Sequence, residues 1–158
     1  MLARRIYRRL TGGGHRRGVR FVSVAAVAAF ALAGLSSGVA HAESAPGCGP
    51  VTQIGKTAYI NGDSSNAWAS VKQFKGCGKN WSYVYVWDSY ASRAGDFQVS
   101  TWVETTVSNG HVKAPRNQQA VWSKGTDTLS VCTRAAGAMV DFVVDPSYAF
   151  TVKTEKRC

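Results

Sequence analysis

The chain has 158 residues, 45% of them hydrophobic and 11% aromatic, with 19 Lys and Arg against 9 Asp and Glu and a formal net charge of +10. Taken whole, that charge would suggest a nucleic-acid or membrane-surface protein, but its distribution excludes both readings. Seven arginines stand before residue 21 and no acid stands before residue 43, so the rest of the chain carries 12 basic against 9 acidic side chains, a net +3 with no dense basic cluster.

Arg4, Arg5, Arg8, Arg9, Arg16, Arg17 and Arg20 precede an apolar run from Phe21 to Leu35, and small residues lead to Val39-Ala40-His41-Ala42. A positive segment, a short apolar segment and an A-x-A site predict a signal peptide over residues 1–42, cleaved after Ala42. The run is short for a membrane span, so no membrane partner is expected once the leader is removed. The general secretory route is favoured over twin-arginine export, because disulfides usually form after an unfolded chain has crossed.

Residues 43–158 are then expected to form a single secreted domain. They contain all four cysteines, Cys48, Cys77, Cys132 and Cys158. An even number in a short exported chain reads as a disulfide framework. Of the three connectivities, Cys48–Cys77 with Cys132–Cys158 is expected, since each bond then staples one end of the domain. There is no Cys-x-x-Cys pair and only one histidine, His111, beyond residue 42, so no metal and no cofactor are expected. A domain of this size can bury a core of its own.

After a loose lead-in over 43–50, period-2 alternation recurs every ten to fifteen residues. It predicts strands over 54–60, closed by Asn61-Gly62-Asp63; 68–74; 81–90, the strongest; 97–107, closed by the tight-turn pair Asn109-Gly110; 119–122; 129–133; 139–144; and 148–153, with Asp145-Pro146 between the last two. No stretch keeps a helical period. The expected fold is all-β: an antiparallel β-sandwich or barrel of seven to eight short strands with two disulfides.

Candidate sites follow from the alternation. Trp81, Tyr83, Tyr85 and Trp87 fall on one face of their strand, and Val84 and Val86 on the other. On the next strand Phe97, Val99, Val103 and Val107 share a face, opposite Trp102. If these two strands pair and the valines are core, Trp81, Tyr83, Tyr85, Trp87 and Trp102 form one outer aromatic platform of the kind that stacks on sugar rings; the competing reading puts the aromatics in the core. The polar stretch 108–119 predicts a projecting loop whose His111, Lys113 and Arg116 would enter the pocket of a target enzyme, as in a protease inhibitor. Glu104, His111 and Arg116 have the residue types of a small ribonuclease, but no spacing joins them. No G-x-S-x-G elbow is present, and Asn61 to Asn66 lacks calcium-loop spacing.

Residues 70–90, Ser-Val-Lys-Gln-Phe-Lys-Gly-Cys-Gly-Lys-Asn-Trp-Ser-Tyr-Val-Tyr-Val-Trp-Asp-Ser-Tyr, resemble a stretch of small secreted actinomycete (Streptomyces-like) proteins of unassigned function. That resemblance implies a cell-envelope or extracellular role and no chemistry. The plan of leader, four cysteines and small β domain is also similar to exported enzyme inhibitors and sandwich-fold chromoprotein carriers, without a residue motif of either. The expected function is non-enzymatic binding of an extracellular glycan, the cell wall or a secreted protein. Protease inhibition through 108–119 and an adaptor role in a secreted, antibacterial-type assembly are the alternatives.

Overall fold

The computed structural model describes residues 43–158; the expected leader lies outside them. Eleven strands and one helix follow in order: β1 Ser44–Ala45, β2 Gly49–Pro50, β3 Thr52–Gln53, β4 Ala58–Ile60, β5 Ala69–Gly76, β6 Lys79–Val86, α1 Asp88–Ala94, β7 Phe97–Glu104, β8 Ser108–Lys113, β9 Ala120–Trp122, β10 Arg134–Asp141 and β11 Asp145–Lys153. All pairings are antiparallel. One sheet has five strands, β3-β5-β6-β9 with β4 also on β5; a second has four, β11-β10-β7-β8; β1 and β2 form a small hairpin. The all-β, antiparallel expectation holds, and both disulfides join as expected, Cys48 to Cys77 and Cys132 to Cys158. Two such bonds fit an oxidising, extracellular-type environment. Among the described residues no helix is long and apolar enough to cross a membrane.

The core lies between the two larger sheets. Ala69, Val71, Val84 and Val86 point inward from one, and Val99, Ala135 and Met139 from the other, each completely shielded from solvent. The layers approach closely at Gly137: a Cβ there would lie 2.5 Å from a Val84 methyl and 2.6 Å from a Val71 methyl. Only glycine fits that crossing. At the same level Ser82 Oγ and Thr101 Oγ1 lie 2.6 Å apart, and both reach the Ala136 carbonyl, at 3.3 Å and 2.9 Å. These hydroxyls satisfy one another in a dry interior, so β6 and β7 face each other across the core.

That arrangement corrects two expectations. β6 and β7 do not pair, and the strand expected over 81–90 ends at Val86, where α1 carries the chain from one sheet to the other. The helix buries Tyr90 and Ala94, one turn apart on one side. Asp88 in its first turn and Arg93 in its last complement the helix dipole. Gly95, at φ +76°, ends it. Seven residues with only two apolar anchors give too short a period to stand out against the alternation before them. Tyr90 stacks on Trp68 at 4.6 Å and bonds through its hydroxyl to the Asp141 carboxylate, fixing the helix to the β10 end.

Other boundaries differ, too: the strand expected over 139–144 ends at Asp141, the turn is 142–144, and Asp145-Pro146 begins β11 rather than separating two strands. Residues 54–57 are irregular between β3 and β4, and no strand forms over 129–133, which is held instead by a bridge of Thr133 to Arg157. Asn109-Gly110 is not the hairpin turn: residues 105–107 turn, and Gly110 sits inside β8 at φ +63°, where the register on β7 shifts. Its carbonyl accepts the Lys124 N–H at 2.9 Å, and a Cβ would lie 2.5 Å from the Lys124 carbonyl. Glycine is needed here to bulge the strand against its neighbour. Finally, the lead-in is ordered. The β1–β2 hairpin lies on the outer side of the five-stranded sheet, where Ala45 and Val51 pack over Phe74 and Trp81 as a second, smaller apolar cluster.

Candidate binding face

With Val84 and Val86 committed to the core, period 2 sends Trp81, Tyr83 and Tyr85 to the outside of the five-stranded sheet. Strand register then sets their neighbours. One row runs Lys72, Tyr83, Trp122 and a second Tyr59, Ser70, Tyr85, Ala120, because directly opposed residues share a face. Tyr83 lies against Trp122 with ring centroids 4.5 Å apart, and Phe74 meets Trp122 at 5.1 Å. Tyr85 and Trp87 meet edge to face at 5.5 Å. Ser70 keeps the second row low between its tyrosines, and Ala120 keeps it low beyond Tyr85.

The face grades from covered to open. Trp81 is 6% exposed beneath the hairpin, with its indole N–H donating to the Gly76 carbonyl at 3.1 Å. Tyr83, Tyr85 and Trp122 are half-buried, and Trp87 is 37% exposed. The Cys48–Cys77 bond and the Lys72–Glu43 ion pair, 2.6 Å, hold the cover in place. Trp81 is therefore a buried anchor, as the competing reading had it, whereas Tyr83, Tyr85 and Trp87 are outward.

The polar groups of the face are few. Tyr85 donates its hydroxyl to Asp88 Oδ1 at 3.2 Å, and Gln119 Nε2 donates to the same oxygen at 2.7 Å. Burial pushes the Tyr83 phenol up to about 12, helped by the charge of Glu43 and by Tyr85. Burial, then the bond to Asp88 and its charge, raises Tyr85 as well. Both phenols thus stay neutral over the physiological range and keep a hydroxyl proton to donate. Flat rings with a few edge hydroxyls suit a ligand that has apolar faces and a hydroxylated rim. They offer no nucleophile, and among the described residues no three metal-ligating side chains converge.

Trp102 does not join this face. It projects from β7 on the outer side of the four-stranded sheet, half-buried, its ring 5.6 Å from that of His111 and its N–H without a partner. The platform expected from sequence is therefore split across the sandwich. Tyr59 and Trp122 take the place given to Trp102; both lay in expected strands, but only the order β4-β5-β6-β9 brings them beside Tyr83 and Tyr85.

The expected loop over 108–119 is half strand. His111 and Lys113 are exposed on β8, in the sheet rather than projecting from it. Arg116 is tied down by Asp96 Oδ2 at 2.6 Å and by the Phe142 ring, 3.8 Å from its guanidinium carbon. The Glu104, His111 and Arg116 trio is not assembled either. Glu104 ends β7 and bonds Arg134 and Lys153, whereas Arg116 sits by Asp96 before the start of β7, about 23 Å away at ~3.3 Å per residue. Comparison of the chain with protein-family models, curated proteins and solved structures returns no match.

Proposed function

We propose that the domain is a secreted, non-enzymatic binding module whose ligand seats on the outer aromatic face of the five-stranded sheet. The observation that carries this is the outward row of Tyr83, Tyr85 and Trp87, extended by Tyr59 and Trp122, on a sheet whose other face already supplies the core. Aromatics not needed for the core gain from stacking against a flat partner, and two-torsion side chains lose little entropy in doing so. A glycan or a cell-wall polymer fits the graded, largely uncharged surface, with Tyr85, Asp88 and Gln119 at one end to bond hydroxyls.

Retention of the oxidised domain on insoluble cell-wall fragments, cellulose and chitin tests the proposal. The native domain is expected to bind at least one, and Trp87→Ala or Tyr85→Ala to weaken that binding about tenfold or more, an aromatic contact of ~1.5 kcal/mol. Trp102→Ala, on the opposite face, should bind as the native domain does. Equal losses at Trp102 and Trp87, or no retention on any of the three, would overturn it.

A further inference from the structure

A second site lies where the 126–133 segment and the last residues meet Ile54 and the β5–β6 end of the five-stranded sheet, independent of the aromatic face. A cleft of about 410 Å³ opens there, bounded by Ile54, Lys75, Asn80, Leu129, Val131 and Arg157. Leu129 and Val131 are each 49% exposed, two of the few large apolar side chains left in solvent. Two cations border them and no Asp or Glu side chain does; Thr133 and the terminal residue Cys158, with its α-carboxylate, complete the lining. Neither Lys75 nor Arg157 lies within ion-pair distance of a carboxylate among the described residues, although six other cations do. Asn80 is only 2% exposed; its amide N–H groups donate to Thr128 at 3.0 Å and Thr133 at 3.4 Å, leaving its carbonyl oxygen with no partner.

The walls are held in place. Asn80 and Thr126 exchange backbone hydrogen bonds, both 2.9 Å, and Thr133 and Arg157 do the same at 2.6 Å and 2.7 Å. The Cys132–Cys158 bond ties the 126–133 segment to the last residues beside that bridge. Apolar side chains fixed open to water, next to cations without partners, are complementary to a compact ligand with an aliphatic body and one anionic end.

We infer that this cleft binds an aliphatic carboxylate, with the carboxylate between Lys75 and Arg157 and the branched chain on Leu129, Val131 and Ile54. Such a group occurs as a free small acid and as the aliphatic carboxyl-terminal residue of a peptide. The two differ in the amide N–H that only the second carries.

Amide chemical-shift titration of the oxidised 43–158 domain tests this with three probes: N-acetyl-leucine, 4-methylpentanoate and the neutral N-acetyl-leucinamide. Saturable shifts are expected at Lys75, Leu129, Val131 and Arg157 with a carboxylate probe. They should weaken about tenfold with the neutral amide, and equally in Arg157→Gln or Lys75→Gln, each a loss of one charge-assisted contact. Both substitutions replace exposed side chains, and an otherwise unchanged spectrum verifies the fold. Preference for N-acetyl-leucine identifies a chain terminus, and equal binding of 4-methylpentanoate a free acid. Equal shifts with the neutral amide, shifts elsewhere on the domain, or no saturation by either carboxylate would overturn the site. None of these outcomes bears on the aromatic face.

Discussion

The two outer faces of the sandwich begin from the same alternation and end differently. On the five-stranded sheet the outward positions of β6 carry Tyr83 and Tyr85, and β9 adds Trp122 beside them. On the four-stranded sheet the outward positions of β7 carry Trp102 and Glu104, and the neighbouring strands add Arg134 and Lys153, which close on Glu104 at 2.5 Å and 2.7 Å. One face gathers rings and the other gathers charge. Trp102 stands beside an ion cluster, whereas the aromatic row of the other sheet is the surface proposed to bind. What a strand residue can do is set by its cross-strand partners as much as by its own face.

Both faces depend on the layer between them, so the largest effect should come from closing the gap at Gly137. Gly137→Val drives methyls into Val71 and Val84, which stand within 2.6 Å of a Cβ; loss of about 3 kcal/mol or failure to fold is expected, read by near-ultraviolet circular dichroism and urea unfolding. A variant as stable as the native domain would mean that the layers are further apart than described.

The disulfides come next and act on different regions. The paired change Cys132→Ser with Cys158→Ser, or Cys48→Ser with Cys77→Ser, should each cost about 3 kcal/mol, since the closed loops span 26 and 29 residues. Only the second pair should also raise the oxidative labelling of Trp81, by freeing its hairpin cover. If Trp81 stays protected after that change, the hairpin is held by packing alone.

On the charged face a smaller effect is expected. Hydrogen bonding from Lys153 first, and then from Arg134 against an opposing desolvation cost, holds the Glu104 carboxyl below its ordinary value. A carboxyl depressed in the folded state stabilises above its unfolded value and ceases to do so as pH falls through the folded one. Glu104→Gln should therefore cost about 1 kcal/mol at pH 7, in line with partly exposed pairs. The difference from the native domain should shrink as pH drops below about 4.5. A difference independent of pH between 7 and 3, in urea unfolding, would assign the loss to packing. Smallest of all for stability is Trp87→Ala, expected within ~0.5 kcal/mol of native because its ring is the most exposed of the five tryptophans, although it should have the largest effect on binding.

Much of the fold was legible. Valines at 84, 86, 99 and 103 marked the inner faces of their strands, and the four cysteines paired as their placement at the two ends of the domain implied. The candidate face was legible only in part. Tyr83, Tyr85 and Trp87 followed from alternation, but Trp102 was placed with them because consecutive strands commonly pair. The helix over 88–94, with two buried residues, breaks that rule and sends β7 to the other sheet. Tyr59 and Trp122 depend on long-range strand order, which carries no local signal, and the burial of Trp81 depends on a hairpin that looks like a loose lead-in. The bulge at Gly110 was hidden because Asn-Gly reads as a turn, and it acts here as a point of close approach to Lys124.

The most direct measurement is residue-resolved oxidative labelling of the five tryptophans in the oxidised domain, read by mass spectrometry. Trp87 is expected to label fastest, Trp68, Trp102 and Trp122 at intermediate rates, and Trp81 to be protected until Cys48–Cys77 is removed. Protection of Trp87 to the level of Trp81 would place the whole aromatic row in the interior and contradict the binding face.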